Sequence, residues 1–276
     1  MKAKKHFGQH YLRSARALEQ IVEAGGLTPR DIVLEIGPGE GVLTEKLLER
    51  ASKVIAVEKD RDLIEPLATR FKQEISSGKL VLLQADVLDL SPETMADLAP
   101  GYKLIANIPY YITGAILEKF LSGALKPSRA VLLVQKEVAE RILARDGRGS
   151  ILSISVKAYG KPRITATVGR GAFAPQPEVD SAILLIEDIS KDFFTNIDEK
   201  NFFTIVKTGF GKKRKQLLGN LSALMSRERL AIIFEELKLT PTVRAEELGT
   251  ETWRALTEKM CTFMNLKNYY PQKMKI

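Results

Sequence analysis

Short apolar runs alternate with helical periodicities from residue 14 to about residue 188. This alternation is typical of strands joined by crossover helices in a parallel sheet. The strand candidates are residues 32–36, 54–58, 80–84, 102–106, 130–135, 163–168 and 182–187. Only a Pro-containing loop separates the last two, and so short a connection favours an antiparallel pair. The pattern predicts an α/β fold built on a mostly parallel seven-stranded sheet, with one reversed strand near its edge.

The pattern changes after residue 188, where strand-like alternation disappears and helical periodicity takes over. The helix candidates are residues 201–208, 213–224, 226–237 and 250–263. We therefore expect two domains, an α/β domain over residues 1–188 and a smaller helical domain over residues 189–276.

Charge is concentrated at the two ends of the chain. The formal net charge is +8, of which residues 1–16 contribute +5, residues 17–200 contribute −4 and residues 201–276 contribute +7. Cations clustered around a nearly neutral body are typical of proteins that bind a phosphate backbone, although a solvated, solubilising surface has the same composition. The candidate RNA-binding residues are Lys4, Lys5, Lys212, Lys213, Arg214 and Lys215.

Several classes of protein do not fit this sequence. No apolar run approaches the roughly 18 residues of a membrane-spanning helix, and no apolar segment follows the basic start as it would in a secretory signal. We therefore expect a cytoplasmic protein without membrane association. A single cysteine, Cys261, excludes an intrachain disulfide, and with only His6 and His10 beside it no metal site is expected. Cys261 is expected to fill a core position.

A glycine-rich loop, Gly37-Pro38-Gly39-Glu40-Gly41, follows the first strand and precedes a helix at residues 42–50. Glycines permit a tight turn and a close approach of the backbone to a ligand. The third glycine follows the second by two residues instead of three, which departs from the dinucleotide fingerprint and favours a ligand without phosphates. Glu58 ends the next strand, where a carboxylate can accept hydrogen bonds from ribose hydroxyls, and Asp86 follows the third strand, where it can accept one from an adenine amino group. A plain turn with solvated acidic residues is the alternative.

Asn107-Ile108-Pro109-Tyr110 follows the fourth strand, at the edge where open α/β sheets bind their ligands. The Asn107 side-chain oxygen and the Pro109 carbonyl can accept hydrogen bonds from an adenine amino group, and Tyr110 can stack on an extruded base. Phe173 begins a Pro-containing segment, residues 173–181, and is expected to cover the other side of that base, with a buried structural role as the alternative.

With these residues assembled, the chain resembles the KsgA/RsmA family of small-subunit ribosomal RNA adenine N6,N6-dimethyltransferases over essentially its whole length. The resemblance rests on the amino-terminal Phe7-Gly8-Gln9-His10-Tyr11-Leu12, the glycine loop with Glu35, Glu58 and Asp86, residues 107–110 and 173–181, and the basic segment at residues 211–221. The family frequently has Asn at the position of His10 and Phe at that of Tyr11.

The resemblance implies a class I S-adenosylmethionine methyltransferase fold, which is Rossmann-like, with a small helical domain after it. It implies that S-adenosylmethionine is bound by His10, Leu12, Gly37, Gly39, Glu58, Asp86 and Asn107, without a metal, and that Asn107, Pro109, Tyr110 and Phe173 are catalytic. The implied substrate is a pair of adjacent adenosines in the hairpin loop near the 3′ end of 16S rRNA, in a pre-30S subunit. We expect the enzyme to act as a monomer.

Three other functions fit part of the pattern. An Erm-type enzyme shares the cofactor loop and the catalytic motif but modifies an adenosine of 23S rRNA. A ribosome-assembly factor would keep the fold with dispensable catalysis, against which the intact Asn107 and Tyr110 argue. A nicotinamide-dependent oxidoreductase would use the glycine loop and Glu58, but the glycine spacing disfavours it.

Overall fold

A computed structural model describes residues 10–91, 95, 97–144, 147–212 and 214–264. The described residues form two compact units. The first comprises the chain up to Leu143 together with Tyr159–Ser190, and the second comprises Ala144–Ala158 together with the residues from Lys191 onward. This division differs from the one expected at residues 188 and 189, because residues 144–158 pack with the second unit.

The first unit alternates strands and helices as its apolar pattern predicts. Its strands are β1 (Tyr11–Leu12), β2 (Ile32–Ile36), β3 (Lys53–Glu58), β4 (Leu80–Gln84), β5 (Lys103–Asn107), β6 (Arg129–Gln135), β7 (Lys161–Val168), β8 (Phe173–Ala174) and β9 (Ser181–Glu187). Its helices are α1 (Ala15–Gly25), α2 (Val42–Arg50), α3 (Arg61–Arg70), α4 (Lys72–Ser76), α5 (Thr113–Ser122) and α6 (Lys136–Leu143).

Seven strands form one sheet in the order β4-β3-β2-β5-β6-β9-β7. The pairs from β4 to β6 are parallel, whereas β9 runs antiparallel to both β6 and β7. The predicted sheet, mostly parallel with one reversed strand near its edge, is confirmed. The strand order changes direction between β2 and β5, and such a switch point opens a crevice at the carboxyl ends of the strands.

The central strands are buried on both faces. In β6, Val131 and Leu133 belong to the hydrophobic cluster that contains residues of α1, α2 and α3, while the alternate residues Leu132 and Val134 are also buried but lie outside that cluster. Because successive strand residues point to opposite faces, both faces of the sheet are covered, as a parallel sheet requires.

The second unit is helical. Most of α7 (Ile151–Tyr159) belongs to it, together with α8 (Glu199–Gly209), α9 (Leu217–Leu221), α10 (Arg227–Glu236) and α11 (Thr250–Met264). The buried stripe of α11 consists of Trp253, Leu256, Thr257 and Met260, which recur at helical spacing. Cys261 lies beside this stripe and is only half-buried, so the core position expected for it was wrong.

The helix predicted over residues 213–224 is shorter in the structure, where α9 begins at Leu217 and ends at Leu221. The preceding residues form a turn in which the Lys215 N–H donates to the Lys212 carbonyl at 2.9 Å. Like charges three or four residues apart repel one another on a helix, which disfavours helical structure in this basic segment. In the part of the chain that the structure describes, no helix is both long and apolar enough to cross a membrane.

Candidate cofactor and base pocket

A pocket lies at the carboxyl ends of β2, β3, β4 and β5. The glycine loop between β2 and α2 forms one wall, and Gly37, Gly39 and Gly41 have φ values of 68°, 59° and 81°. These left-handed conformations favour glycine. A Cβ atom on Gly39 would also lie 3.1 Å from the Tyr11 ring, so a side chain there would require the ring to shift.

Glu58 lies at the end of β3 and is 6% exposed. Its carboxylate accepts hydrogen bonds from the Gly39 N–H at 3.1 Å and the Asp60 N–H at 2.7 Å. Burial raises the pKa of Glu58, and the two backbone hydrogen bonds partly oppose this shift. Each carboxylate oxygen keeps a second lone pair, so the side chain can still accept hydrogen bonds from a ligand.

Asp86 lies beyond the end of β4 and also lines the pocket. Its carboxylate accepts a hydrogen bond from the Lys59 ammonium at 2.7 Å and another from the Leu88 N–H at 2.9 Å. The hydrogen bond from Lys59 and the one from Leu88 lower the pKa of Asp86. Asp86 is therefore an ionised acceptor at neutral pH.

Glu35 lines the pocket, although the sequence pattern indicated it only as part of the glycine-loop motif. It is 1% exposed, and burial raises its pKa to about 8, a shift that the nearby Glu58 carboxylate increases. One of its carboxyl oxygens has no hydrogen-bond partner. Glu35 is therefore largely protonated at neutral pH, as expected for a carboxyl group removed from water without a cation beside it.

The amino-terminal segment covers the glycine loop. β1 pairs with β8 in an antiparallel ribbon, with Tyr11 opposite Ala174 and Leu12 opposite Phe173. The Tyr11 ring lies against Gly39, and Arg13 forms an ion pair with Glu40 at 2.6 Å. Tyr11 of β1 and Arg13, the residue that follows β1, thus hold the loop, although a two-residue strand has no periodicity that a sequence pattern can reveal.

Asn107 ends β5, and its side-chain amide donates to the His10 carbonyl at 3.2 Å. This bond fixes the amide and leaves the Asn107 side-chain oxygen as the acceptor. The Pro109 carbonyl accepts the Ile112 N–H at 3.2 Å and has a second lone pair for a ligand. His10 lines the pocket, and its imidazole Nδ1 lies 2.8 Å from the Pro175 carbonyl.

Tyr110 lines the pocket beside Asn107 and is fixed by the first residue of β9. Its hydroxyl forms a 2.7 Å hydrogen bond with the Ser181 hydroxyl, and Ser181 is fully buried at the start of β9. Burial raises the pKa of the Tyr110 phenol. The Tyr110 ring stacks near the His10 imidazole, with centroids 5.9 Å apart.

Phe173 does not line the pocket, and its predicted place beside the base is corrected by the structure. The pairing of β8 with β1 turns its side chain into the hydrophobic cluster, where it is 5% exposed. The segment of residues 173–181 serves the pocket in another way, because its Pro175 carbonyl holds His10 and its Ser181 hydroxyl holds Tyr110.

The remaining predicted residues are basic. Lys212, Arg214 and Lys215 are exposed in the turn before α9, whereas Lys4, Lys5 and Lys213 lie outside the described residues. The Asn220 side-chain amide donates to the Gly209 carbonyl at 2.5 Å and to the Lys212 carbonyl at 3.2 Å. This double contact ties the basic turn to α9.

Carboxyl groups outnumber cations around the pocket. Its lining includes one lysine, Lys59, and five acidic residues: Glu35, Glu40, Glu58, Asp60 and Asp86. Even with Glu35 protonated, Glu40 paired with Arg13 and Asp86 paired with Lys59, negative charge remains. The negative charge around the pocket repels a pyrophosphate and favours a cationic ligand.

Comparison with known proteins extends over both units. The chain matches the family model described as ribosomal RNA adenine dimethylase over residues 1–260. It is similar to the ribosomal RNA small subunit methyltransferase A of Dehalococcoides mccartyi, with 43% identity over 258 residues that cover 93% of this chain and 88% of the relative. The protein of the same name from Nostoc sp. is 39% identical, with coverages of 92% and 96%.

Two solved structures share the architecture. A dimethyladenosine transferase from Plasmodium falciparum is 28% identical, has a TM-score of 0.75 and is matched over 90% of this chain and 96% of its own. The 23S rRNA methyltransferase ErmE is 25% identical, with a TM-score of 0.73 and coverages of 91% and 99%.

Proposed function

The chain belongs to the ribosomal RNA adenine dimethylase family, and we propose that it transfers methyl groups from S-adenosylmethionine to the N6 amino group of adenosines in small-subunit ribosomal RNA. The observation that carries this proposal is the position of Asn107, Pro109 and Tyr110 on the rim of an acidic, glycine-lined pocket. The shared name of the relatives at 38–43% identity supports the small subunit as the target.

The pocket residues fit S-adenosylmethionine in three respects. Glu58 is a buried acceptor for ribose hydroxyls, Asp86 is an ionised acceptor for the adenine amino group, and Gly37 and Gly39 line the pocket without side chains that would fill it. The negative surroundings suit a ligand with a sulfonium and an ammonium group and no phosphate. Binding of labelled S-adenosylmethionine, with no binding of NAD, is the expected result of an equilibrium assay.

The residues at the rim of the pocket orient the target adenine. We propose that the Asn107 side-chain oxygen and the Pro109 carbonyl accept hydrogen bonds from the adenine amino group, which holds its nitrogen lone pair toward the pocket. Tyr110, fixed through Ser181, stacks on the base. S-adenosylmethionine carries its methyl group on a sulfonium leaving group, so that positioning for in-line attack supplies much of the catalysis.

We also propose the exact substrate, the cellular location and the oligomeric state of the enzyme. The substrate is the pair of adjacent adenosines in the hairpin loop near the 3′ end of 16S rRNA, in a pre-30S subunit, and four methyl transfers complete it. The enzyme acts in the cytoplasm as a monomer. The resemblance of the amino-terminal block and the basic segment to the KsgA/RsmA family supports these details.

The decisive experiment measures methyl transfer from labelled S-adenosylmethionine to purified small and large subunits that lack adenine dimethylation, followed by nucleoside mass spectrometry. We expect N6,N6-dimethyladenosine in the small subunit alone. Label in the large subunit would assign the chain to the Erm type. Cofactor binding without transfer to either subunit would favour an assembly factor.

We further propose that the helical unit contributes RNA affinity through its basic turn, which consists of Lys212, Arg214 and Lys215 together with Lys213. The three described side chains of the turn are exposed, and none of them lines the pocket. Exposed, consecutive cations have no packing role, and RNA phosphates are the partner that their charge selects.

Changing all four cations of the basic turn to Gln is expected to weaken RNA binding about 10- to 100-fold at moderate salt and to lower the slope of log Kd against log salt by up to ~3. Affinity for S-adenosylmethionine should stay unchanged. The control is a variant that loses the same positive charge elsewhere in the helical unit. Four cations are changed to Gln in it: Arg227 and Arg229 of α10, Lys259 of α11, and Lys238, which follows Leu237. Equal losses of RNA affinity in both variants would show that RNA binding depends only on the net charge of the protein.

A further inference from the structure

Tyr111 is the most exposed of the large apolar side chains in the described part of the chain, at 64%. It follows Tyr110 directly and lines the mouth of the same pocket. The other exposed large apolar side chains in that part of the chain are Ile151, Ile232 and Phe263, and none of them lines the pocket. An aromatic ring left in water at a binding site contributes little to the stability of the fold, so its position points to a ligand.

The backbone under Tyr111 is held firmly. Residues 110–112 form a single 3-10 turn, in which the Ile112 N–H donates to the Pro109 carbonyl and the Thr113 hydroxyl donates to the Tyr110 carbonyl at 3.1 Å. The Tyr110 hydroxyl is anchored on Ser181. The Tyr111 ring is therefore presented from a fixed turn, which reduces the entropy lost when a ligand stacks on it.

A cation, Lys59, lines the same pocket as this ring. The side chain of Lys59 is 54% exposed and forms an ion pair with Asp86. The hydrogen bond to Asp86 raises the pKa of the Lys59 ammonium, which is therefore charged at neutral pH. An exposed aromatic face next to a lysine is the combination with which proteins hold a base and its phosphate in single-stranded nucleic acid.

We propose that the Tyr111 ring stacks on the RNA base that adjoins the target adenosine, while the target itself occupies the pocket beside Tyr110. This inference rests on the proposed methylation of ribosomal RNA. Stacking would hold the neighbouring base outside the pocket and so select which adenosine enters. When two adjacent adenosines are modified, the stacked base is itself the next substrate.

The first test compares Tyr111→Ala with Tyr111→Phe in methyl transfer to undermethylated small subunits. We expect Tyr111→Ala to raise KM for the subunit about 5- to 100-fold, the range found for a lost base–aromatic stack. Tyr111→Phe keeps the ring and should stay within about twofold of the wild type. Phe263→Ala, which removes an exposed ring that does not line the pocket, is the matched control.

The second test identifies the stacked partner through small subunits in which uridine replaces the adenosine that adjoins the target. The wild type should show a several-fold higher KM on these subunits, because uridine stacks less strongly, whereas Tyr111→Ala should not distinguish the two substrates. Equal discrimination by both proteins would overturn the proposal. So would a parallel loss of S-adenosylmethionine affinity in Tyr111→Ala, since it would make the ring a cover for the cofactor.

Different results would contradict the proposed methylation of ribosomal RNA and the proposed role of Tyr111. If the wild type does not methylate unaltered small subunits, the proposed function is wrong. If the wild type methylates them and Tyr111→Ala does so with the same KM, only the role of Tyr111 is wrong.

Discussion

Asn107→Ala is expected to lower the rate of methyl transfer by about 100- to 1,000-fold, the range found when one preorganised hydrogen-bonding group is removed from an active site. The Asn107 amide is held by the His10 carbonyl at 3.2 Å, so its oxygen is already oriented before the substrate arrives. Single-turnover transfer to undermethylated small subunits measures the effect. Thermal unfolding followed by circular dichroism should show that the variant remains folded.

Asn107→Asp provides the sharper control for this prediction. It keeps an acceptor but loses the N–H group that binds the His10 carbonyl, and it places a negative charge beside that oxygen. We expect a rate between those of the wild type and Asn107→Ala. Turnover by Asn107→Ala at close to the wild-type rate would remove Asn107 from the catalytic role.

Glu35→Gln is expected to stabilise the protein at alkaline pH and to have little effect at acidic pH. The pKa of Glu35 is about 8 in the folded state, against a pKa of 4.5 for an unperturbed Glu. Between these values the folded protein holds a proton that the unfolded chain has released. The free energy of unfolding therefore falls as pH rises through this window, by at most ~1.4 kcal/mol per pH unit.

Gln has the shape of a protonated Glu and does not titrate, so the variant should lose this pH dependence. Urea unfolding at about pH 5.5 and about pH 8.5 should show that the stability gained by Glu35→Gln over the wild type is larger by roughly 2–4 kcal/mol at the higher pH. Glu65→Gln, at an exposed position of α3, is the matched control and should follow the wild type. Parallel pH profiles for Glu35→Gln and the wild type would show that Glu35 is ionised in the folded protein.

Sequence patterns predicted the structural features that depend on residues close together in the sequence. The strands and the reversed pair follow from apolar runs and one short connection, and the positions of the glycine loop, Glu58 and Asn107 follow from the rule that parallel strands place their carboxyl ends at one edge. The structure brings these residues into one pocket, while their individual roles remain predictions.

Contacts between distant residues were not predictable in this way. His10 meets Pro175 across 165 residues, and Tyr110 meets Ser181 across 71. The two-residue strands of the ribbon carry no periodicity, and their register alone decides that Phe173 enters the core. The raised pKa of Glu35 depends on complete burial, which the loop motif does not indicate.

The ribbon of β1 and β8 also sets an order of events during translation. His10 and Tyr11 leave the ribosome early, whereas Pro175 and β9, the strand that completes the sheet between β6 and β7, are made only after more than half of the chain. Domains made in this direction fold as their last essential segment emerges. A nascent chain of this enzyme is therefore expected to acquire its pocket late, because a chain released before Phe173 has neither the Ser181 anchor of Tyr110 nor the ribbon of β1 and β8 over the glycine loop.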